Sequence, residues 1–284
     1  MAAANGVTAF NDVNEFIGFN PVMPATAVTA VMPLPDVKNL MALVDLTAVT
    51  ARRSFMAVIP FVSSKGGAGK STSALILATQ LAARGSKVTV LDCDQNQHCA
   101  EWYAEAKNKS VAVVGDITYK TVVEEIEKAH QVSDVVIVDL QGSQNMTASR
   151  AISRATMVLI PLGATHLDAK EATKSVGLVQ DEEVVLRRAV PYRAFFTKCR
   201  PKPTIEERKI KDNLLGLGVP MLQTRLLSRV AYENLFSYAV SLSDYADQGV
   251  GVSGVEEAIR NADEFVDDVV AALNDLDGDA RAAA

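Results

Sequence analysis

Lys65 and Lys70 stand five residues apart in the stretch SSKGGAGKSTS, positions 63 to 73, with Gly66, Gly67 and Gly69 between them. Glycines at such a turn admit backbone angles and a closeness of approach that side chains would block. A loop of this kind turns its N–H groups onto phosphate oxygens, and the helix after it adds the positive end of its dipole. Lys70 then neutralises the β and γ phosphates, and Ser71 offers a hydroxyl to Mg2+. The spacing follows G-x-x-x-x-G-K-[ST], except that Ser64 takes the first glycine position and Lys65 follows it. The expected phosphate contacts of the loop are Gly66, Gly67, Ala68, Gly69, Lys70, Ser71 and Thr72.

Acidic residues of the right kind follow. In VTVLDCDQNQ, strand alternation puts Asp92 and Asp94 on one face and Cys93 on the other. In DVVIVDLQG, four apolar residues lead to Asp139, the acid expected to hold Mg2+ directly or through water. Cys93, His98 and Cys99 lie close together, but a zinc site would need a fourth ligand.

These groups need a scaffold that gathers strand ends. From residue 55 onward short apolar strands alternate with helical stretches. The expected strands are 56–62, 88–91, 111–114, 135–138, 157–160 and 193–196. The expected helices are 70–84, 95–107, 118–130, 145–154, 168–188, 203–217, 229–238 and 254–274. Strands such as VVIV and MVLI show no polar alternation, which predicts burial on both faces. The fold class is therefore α/β, a doubly wound, mostly parallel sheet flanked by helices. Ligands of such sheets sit at the strand C-termini. Pro60, inside the first strand, suggests a bulge.

The loop with its extra lysine resembles the deviant Walker A motif of the ParA/MinD superfamily of ATPases. The resemblance covers about residues 56–250 and is closest to small ParA-type partition ATPases; TRLLSRVAYENLFSYAVSLSDY is similar to their C-terminal segment. It implies that Lys65 reaches across an ATP-bound homodimer to the partner's phosphates. It implies that Asp94 orients the attacking water and that Asp92 lies near the Mg2+ shell, so Ser71, Asp92 and Asp139 are the expected metal residues. Lys65, Lys70 and Asp94 are the expected catalytic ones. Gln95, Asn96 and Gln97 stand where the family commonly has Pro-Gln-Gly, Gln141 and Gly142 follow the Walker B acid in place of two prolines, and Thr197 and Lys198 replace the usual Asn-Arg. The implied activity is Mg2+-dependent ATP hydrolysis stimulated by a ParB-like partner or cargo adaptor. Non-specific DNA is an implied partner and no membrane is, which gives a cytoplasmic, nucleoid-associated protein that segregates a plasmid, a chromosome or a protein cargo.

Charge distribution bears on the partner. The chain of 284 residues carries a net charge of −6. Residues 256–284 hold nine acids and two arginines, whereas residues 187–211 hold nine basic residues and two glutamates. A local basic face can thus attract a polyanion despite the acidic total. Candidate DNA contacts are Lys198, Arg200, Arg225 and Arg229. The acidic C-terminal stretch argues against a MinD-like membrane helix, because anionic lipid would repel it. An accessory ATPase of conjugative DNA transfer and a nucleotide-gated scaffold with little hydrolysis are the other readings. Three cysteines suit a reducing compartment, and the first 37 residues lack the basic region of a signal peptide. Residues 1–54 read as an N-terminal extension, partly flexible, with a possible helix over 36–53; residues 55–284 read as the ATPase domain with an acidic C-terminal helix.

Overall fold

The computed structural model describes residues 56–142, 146–247 and 254–282. The expected extension 1–54 and its helix 36–53 lie outside the described residues. Six parallel strands form one sheet: β1 (Ala57–Phe61), β2 (Val88–Cys93), β3 (Ala112–Val114), β4 (Val135–Leu140), β5 (Val158–Leu162) and β6 (Tyr192–Phe196), in the order β3-β2-β4-β1-β5-β6. The predicted fold class is the observed one.

Alternate residues of each strand feed two separate cores. Ala57, Ile59 and Phe61 face one, and Val58 and Val62 face the other. The first core is covered by α1 (Lys70–Ala83), α2 (His98–Glu105), α7 (Val230–Ser237), α8 (Leu242–Asp247) and α9 (Val255–Ala282). The second lies under α3 (Val122–Val132), α4 (Met146–Ile152), α5 (His166–Leu186) and α6 (Ile205–Gly216). Helix α1 is buried from Ser73 through Leu81 because α9 packs over it. An apolar side chain truncated there costs about 2–5 kcal/mol.

Helix α9 shows how an acidic segment docks. Ala258, Ala262, Phe265, Val266, Val269 and Leu273 recur at helical spacing and are buried. On the flank, Asp263 accepts from Gln80 Nε2 and Arg84 Nη2, both at 2.9 Å, and Asp267 pairs with Arg84.

Local differences from the sequence reading have physical causes. Pro60 makes no bulge and stays in register opposite Val138. Ala57 N–H bonds toward β4, so alternation turns the position of Pro60 nitrogen toward β5, where only Phe61 and Leu159 pair. Helix α2 starts at His98 rather than 95, because Gln97 sits at φ 51° and Asp94 ties back residue 96. Helix α8 was not expected. Its signal is the reciprocal cap in which Asp244 N–H donates to Ser241 Oγ at 3.1 Å and Ser241 N–H to Asp244 Oδ2 at 3.2 Å.

Candidate nucleotide site

The glycine loop runs from the end of β1 to the start of α1. Gly67 and Gly69 have φ of 76° and 90°, angles that side chains rarely tolerate. Segments that follow β4, β5 and β6 clamp the loop at the C-terminal side of the sheet. From β6, Thr197 Oγ1 donates to Ala68 O and Lys198 Nζ to Gly67 O, both at 2.8 Å. From α5, which follows β5, Ser175 Oγ accepts from Ser64 N–H at 3.0 Å, and Glu171 Oε2 accepts from Ser64 Oγ at 2.7 Å. The serine at the first glycine position is thus held by its own hydroxyl. From β4, Gly142 packs so closely that a Cβ there would lie 2.7 Å from Gly66 N.

Lys70 is 5% exposed and points its Nζ at Lys65 O, 3.5 Å away. Burial lowers its pKa, and the charges of Asp139 and Asp94 oppose that shift. Asp139 is fully buried beside Asp92 in register on β2. Its pKa is raised to about 7: burial is the largest cause and the charges of Asp92 and Asp94 add to it, while the Ser71 hydroxyl and Lys70 oppose it. Its Oδ1 is buried and has no hydrogen-bond partner. A buried carboxylate oxygen without a donor, next to a serine hydroxyl at a helix start, fits a divalent cation.

Asp92 has its own partners. Its Oδ1 accepts from Asp94 N–H at 3.1 Å, and its Oδ2 accepts from Cys99 N–H at 2.9 Å and Ala100 N–H at 3.0 Å. The carboxylate therefore ties β2 to the first turn of α2. Asp94 Oδ1 accepts from Asn96 N–H at 2.9 Å and Asn96 Nδ2 at 3.0 Å. Gln97 bridges two loops, donating to Asp94 O at 2.6 Å and accepting from Asp116 N–H at 2.8 Å. The Cys99 thiol lies 3.6 Å from Asp139 Oδ2, and burial first and the nearby carboxylates second hold it protonated.

Lys65 lies back on its own chain. Its Nζ is 2.7 Å from Asp168 Oδ1, a residue that also accepts from Thr165 Oγ1 at 2.6 Å. Sequence reasoning missed Asp168, Glu171 and Ser175. The T-x-x-D pattern of Thr165 and Asp168 marks a helix start, but nothing local ties that helix to the glycine loop.

Several clefts border the loop. One of about 530 Å3 is lined by Lys65, Gly67, Thr165, Asp168, Lys198 and Arg200. A second, of about 360 Å3, is lined by Ile76, Thr197, Leu226, Arg229 and Tyr232. A third, of about 380 Å3, is lined by Lys70, Ser71, Asp94, Asn96 and His98. Gly69, Thr72, Lys198 and Phe236 border both of these last two. The four candidate DNA contacts therefore part company. Lys198 and Arg229 face the clefts, Arg229 with a buried Nε lacking a partner. Arg225 is committed to Glu207, with Nη2 3.0 Å from Oε2, and to Arg200 O. Arg200 is exposed.

A parallel sheet that delivers its first strand into a glycine loop, with a lysine ahead of the glycines as well as behind them, is the architecture of the ParA/MinD P-loop ATPases. A family model described as VirC1 protein matches residues 56–269. Protein ParA of Rhizobium radiobacter is 38% identical over 213 residues, covering 74% of this chain and 94% of that one. Among solved structures, MinD cell division protein of Aquifex aeolicus superposes with a TM-score of 0.56 at 19% identity, over 74% of this chain and 96% of that one. The ATP complex of a Cyanothece McdA variant gives 0.53 at 16% identity, over 73% and 97%. The chain belongs to the VirC1 family of ParA-like partition and positioning ATPases.

Proposed function

We propose that this chain is a Mg2+-dependent ATPase that dimerises on ATP, binds DNA without sequence preference and moves or positions a cargo on it. The observation that carries the reading is the pair of lysines on one clamped loop, with the donor-free oxygen of Asp139 beside it. Ser71 and Asp139 would hold Mg2+, which would neutralise charge on the β and γ phosphates. Among the described residues no three His, Cys, Asp or Glu side chains converge on a metal, so nucleotide and water would complete its shell.

The loop N–H groups and Lys70 bind and orient the triphosphate. Asp94 holds a water in line with the γ phosphorus, and attack breaks the bond to the β–γ bridging oxygen. Asp92 acts through the backbone it fastens, keeping Asp94 and α2 in place. Lys65 leaves Asp168 to reach the partner's nucleotide, so assembly follows ATP occupancy. With Lys198 and Arg225 engaged elsewhere, the DNA face is better supported by Arg200, Lys202, Arg208 and Lys209, all exposed on or just before α6.

ATP binding and turnover of three chains test the reading. Lys70→Ala should lose ATP binding in calorimetry, and Asp94→Ala should keep binding while losing hydrolysis. Unchanged ATP affinity in Lys70→Ala refutes the site; parent-level turnover in Asp94→Ala moves the water-orienting role to another acid.

A further inference from the structure

The phosphate-side cleft has a lining group that the hydrolytic steps above leave idle. His98 opens α2 with 55% of its side chain exposed, and it borders the cleft of Lys70, Ser71 and Asp94. It does not border the cleft of Leu226 and Tyr232, so it belongs to the phosphate end of the groove. Its helix is held in place by its neighbours. Asp92 pins the N–H groups of the next two residues, and Trp102 anchors the helix by donating to Val240 O at 3.2 Å. The Phe236 ring meets the imidazole edge-on at 6.3 Å and 65°, so α7 braces it from the side where the two clefts join.

We propose that His98 is a ligand of the nucleotide's phosphate chain, donating an imidazole N–H to a phosphate oxygen from the α2 side of the cleft. The inference rests on the ATPase reading and adds to it a group absent from the glycine loop. Imidazole keeps one donor when neutral and gains a second and a positive charge when protonated. The Nδ1 atom lies 4.0 Å from Glu101 Oε2, which leaves the other ring nitrogen for phosphate. The charged groups around it are Glu101 on α2, Asp94 after β2, Lys70 on α1 and Lys198 after β6. A bound triphosphate brings phosphate oxygens and their negative charge to the ring itself, so it favours imidazolium, and nucleotide and proton bind with positive coupling.

Calorimetry with a non-hydrolysable ATP analogue and Mg2+, at pH 6 and pH 8, tests this on the full chain. His98 is exposed, so His98→Ala and His98→Gln leave the core untouched. Relative to the parent, His98→Ala should bind about three- to tenfold more weakly, the span of one hydrogen bond. The deficit should be larger at pH 6 than at pH 8, and His98→Gln should recover part of it at pH 8. Equal affinity of parent and His98→Ala at both pH values overturns the inference, as does a deficit that is the same at both. Lys70→Ala separates the two readings: if it abolishes binding while His98→Ala does not matter, the ATP site stands and His98 is no ligand. A parent chain that fails to bind the analogue overturns both.

Discussion

Replacing Asp168 by Asn removes the charge that holds Lys65 against its own chain while keeping an acceptor for Thr165. The pair spans 2.7 Å, with 41% of the Lys65 side chain and 14% of the Asp168 side chain exposed. A partly exposed pair of this kind contributes about 0.5–1 kcal/mol. In the proposed dimer each chain gives up one such pair when its lysine crosses to the other nucleotide. Two chains together lose about 1–2 kcal/mol, so Asp168→Asn should tighten the ATP-dependent dimer by roughly 5- to 30-fold. Sedimentation equilibrium with Mg2+ and a non-hydrolysable analogue reads that constant directly. Lys65→Ala should abolish the dimer while sparing nucleotide binding by the monomer, and the double variant should behave as Lys65→Ala. An unchanged or weaker dimer in Asp168→Asn refutes the idea that the intrachain pair competes with assembly. A normal dimer in Lys65→Ala refutes the crossing lysine itself.

Gly142→Ala forces a methyl to within 2.7 Å of Gly66 N and should displace the loop, costing about 1–3 kcal/mol in stability and lowering ATP affinity; thermal unfolding and calorimetry measure both. Removing Arg208 and Lys209 together should weaken DNA binding and flatten its salt dependence, read from affinity at several salt concentrations. Arg225→Ala should instead destabilise the chain by about 3 kcal/mol, because Glu207, 3% exposed, is left as a buried charge; denaturant unfolding separates the two effects. Burial raises the Asp168 pKa, but hydrogen bonds from Lys65 and Thr165 outweigh it and leave the net value depressed. Its stabilising contribution is therefore present above the ordinary carboxylate pKa and lost as pH falls through the folded value. The difference in unfolding midpoint between the parent and Asp168→Asn should close as pH drops below about 4.

How much of this was readable beforehand depends on distance along the chain. The glycine loop is local: strand, turn residues, lysine, hydroxyl and helix follow one another within twenty residues, and each residue type carries its own backbone or charge requirement. Asp92 and Asp139 were legible because an apolar run buried on both faces predicts a strand, and a carboxylate closing it lands at the sheet's C-terminal edge. Their division of labour was not legible, since it depends on which oxygens the backbone of α2 has already taken.

The amino-acid order by itself determined the class of sheet, the phosphate loop, the acids that face it and the family resemblance. These are written in periodicities of two and 3.6 residues and in contiguous motifs. Only the tertiary structure decided what holds that loop and what holds Lys65. Asp168, Glu171 and Ser175 lie 103 to 111 positions beyond their partners, and Thr197 lies 129 beyond Ala68. The order β3-β2-β4-β1-β5-β6 sets the ends of β4 and β5 on either side of β1, and β6 one strand beyond β5. Nothing in the local spacing of any one segment encodes that order. It follows from burying both faces of the sheet under helices through right-handed crossovers, a condition the chain satisfies only as a whole.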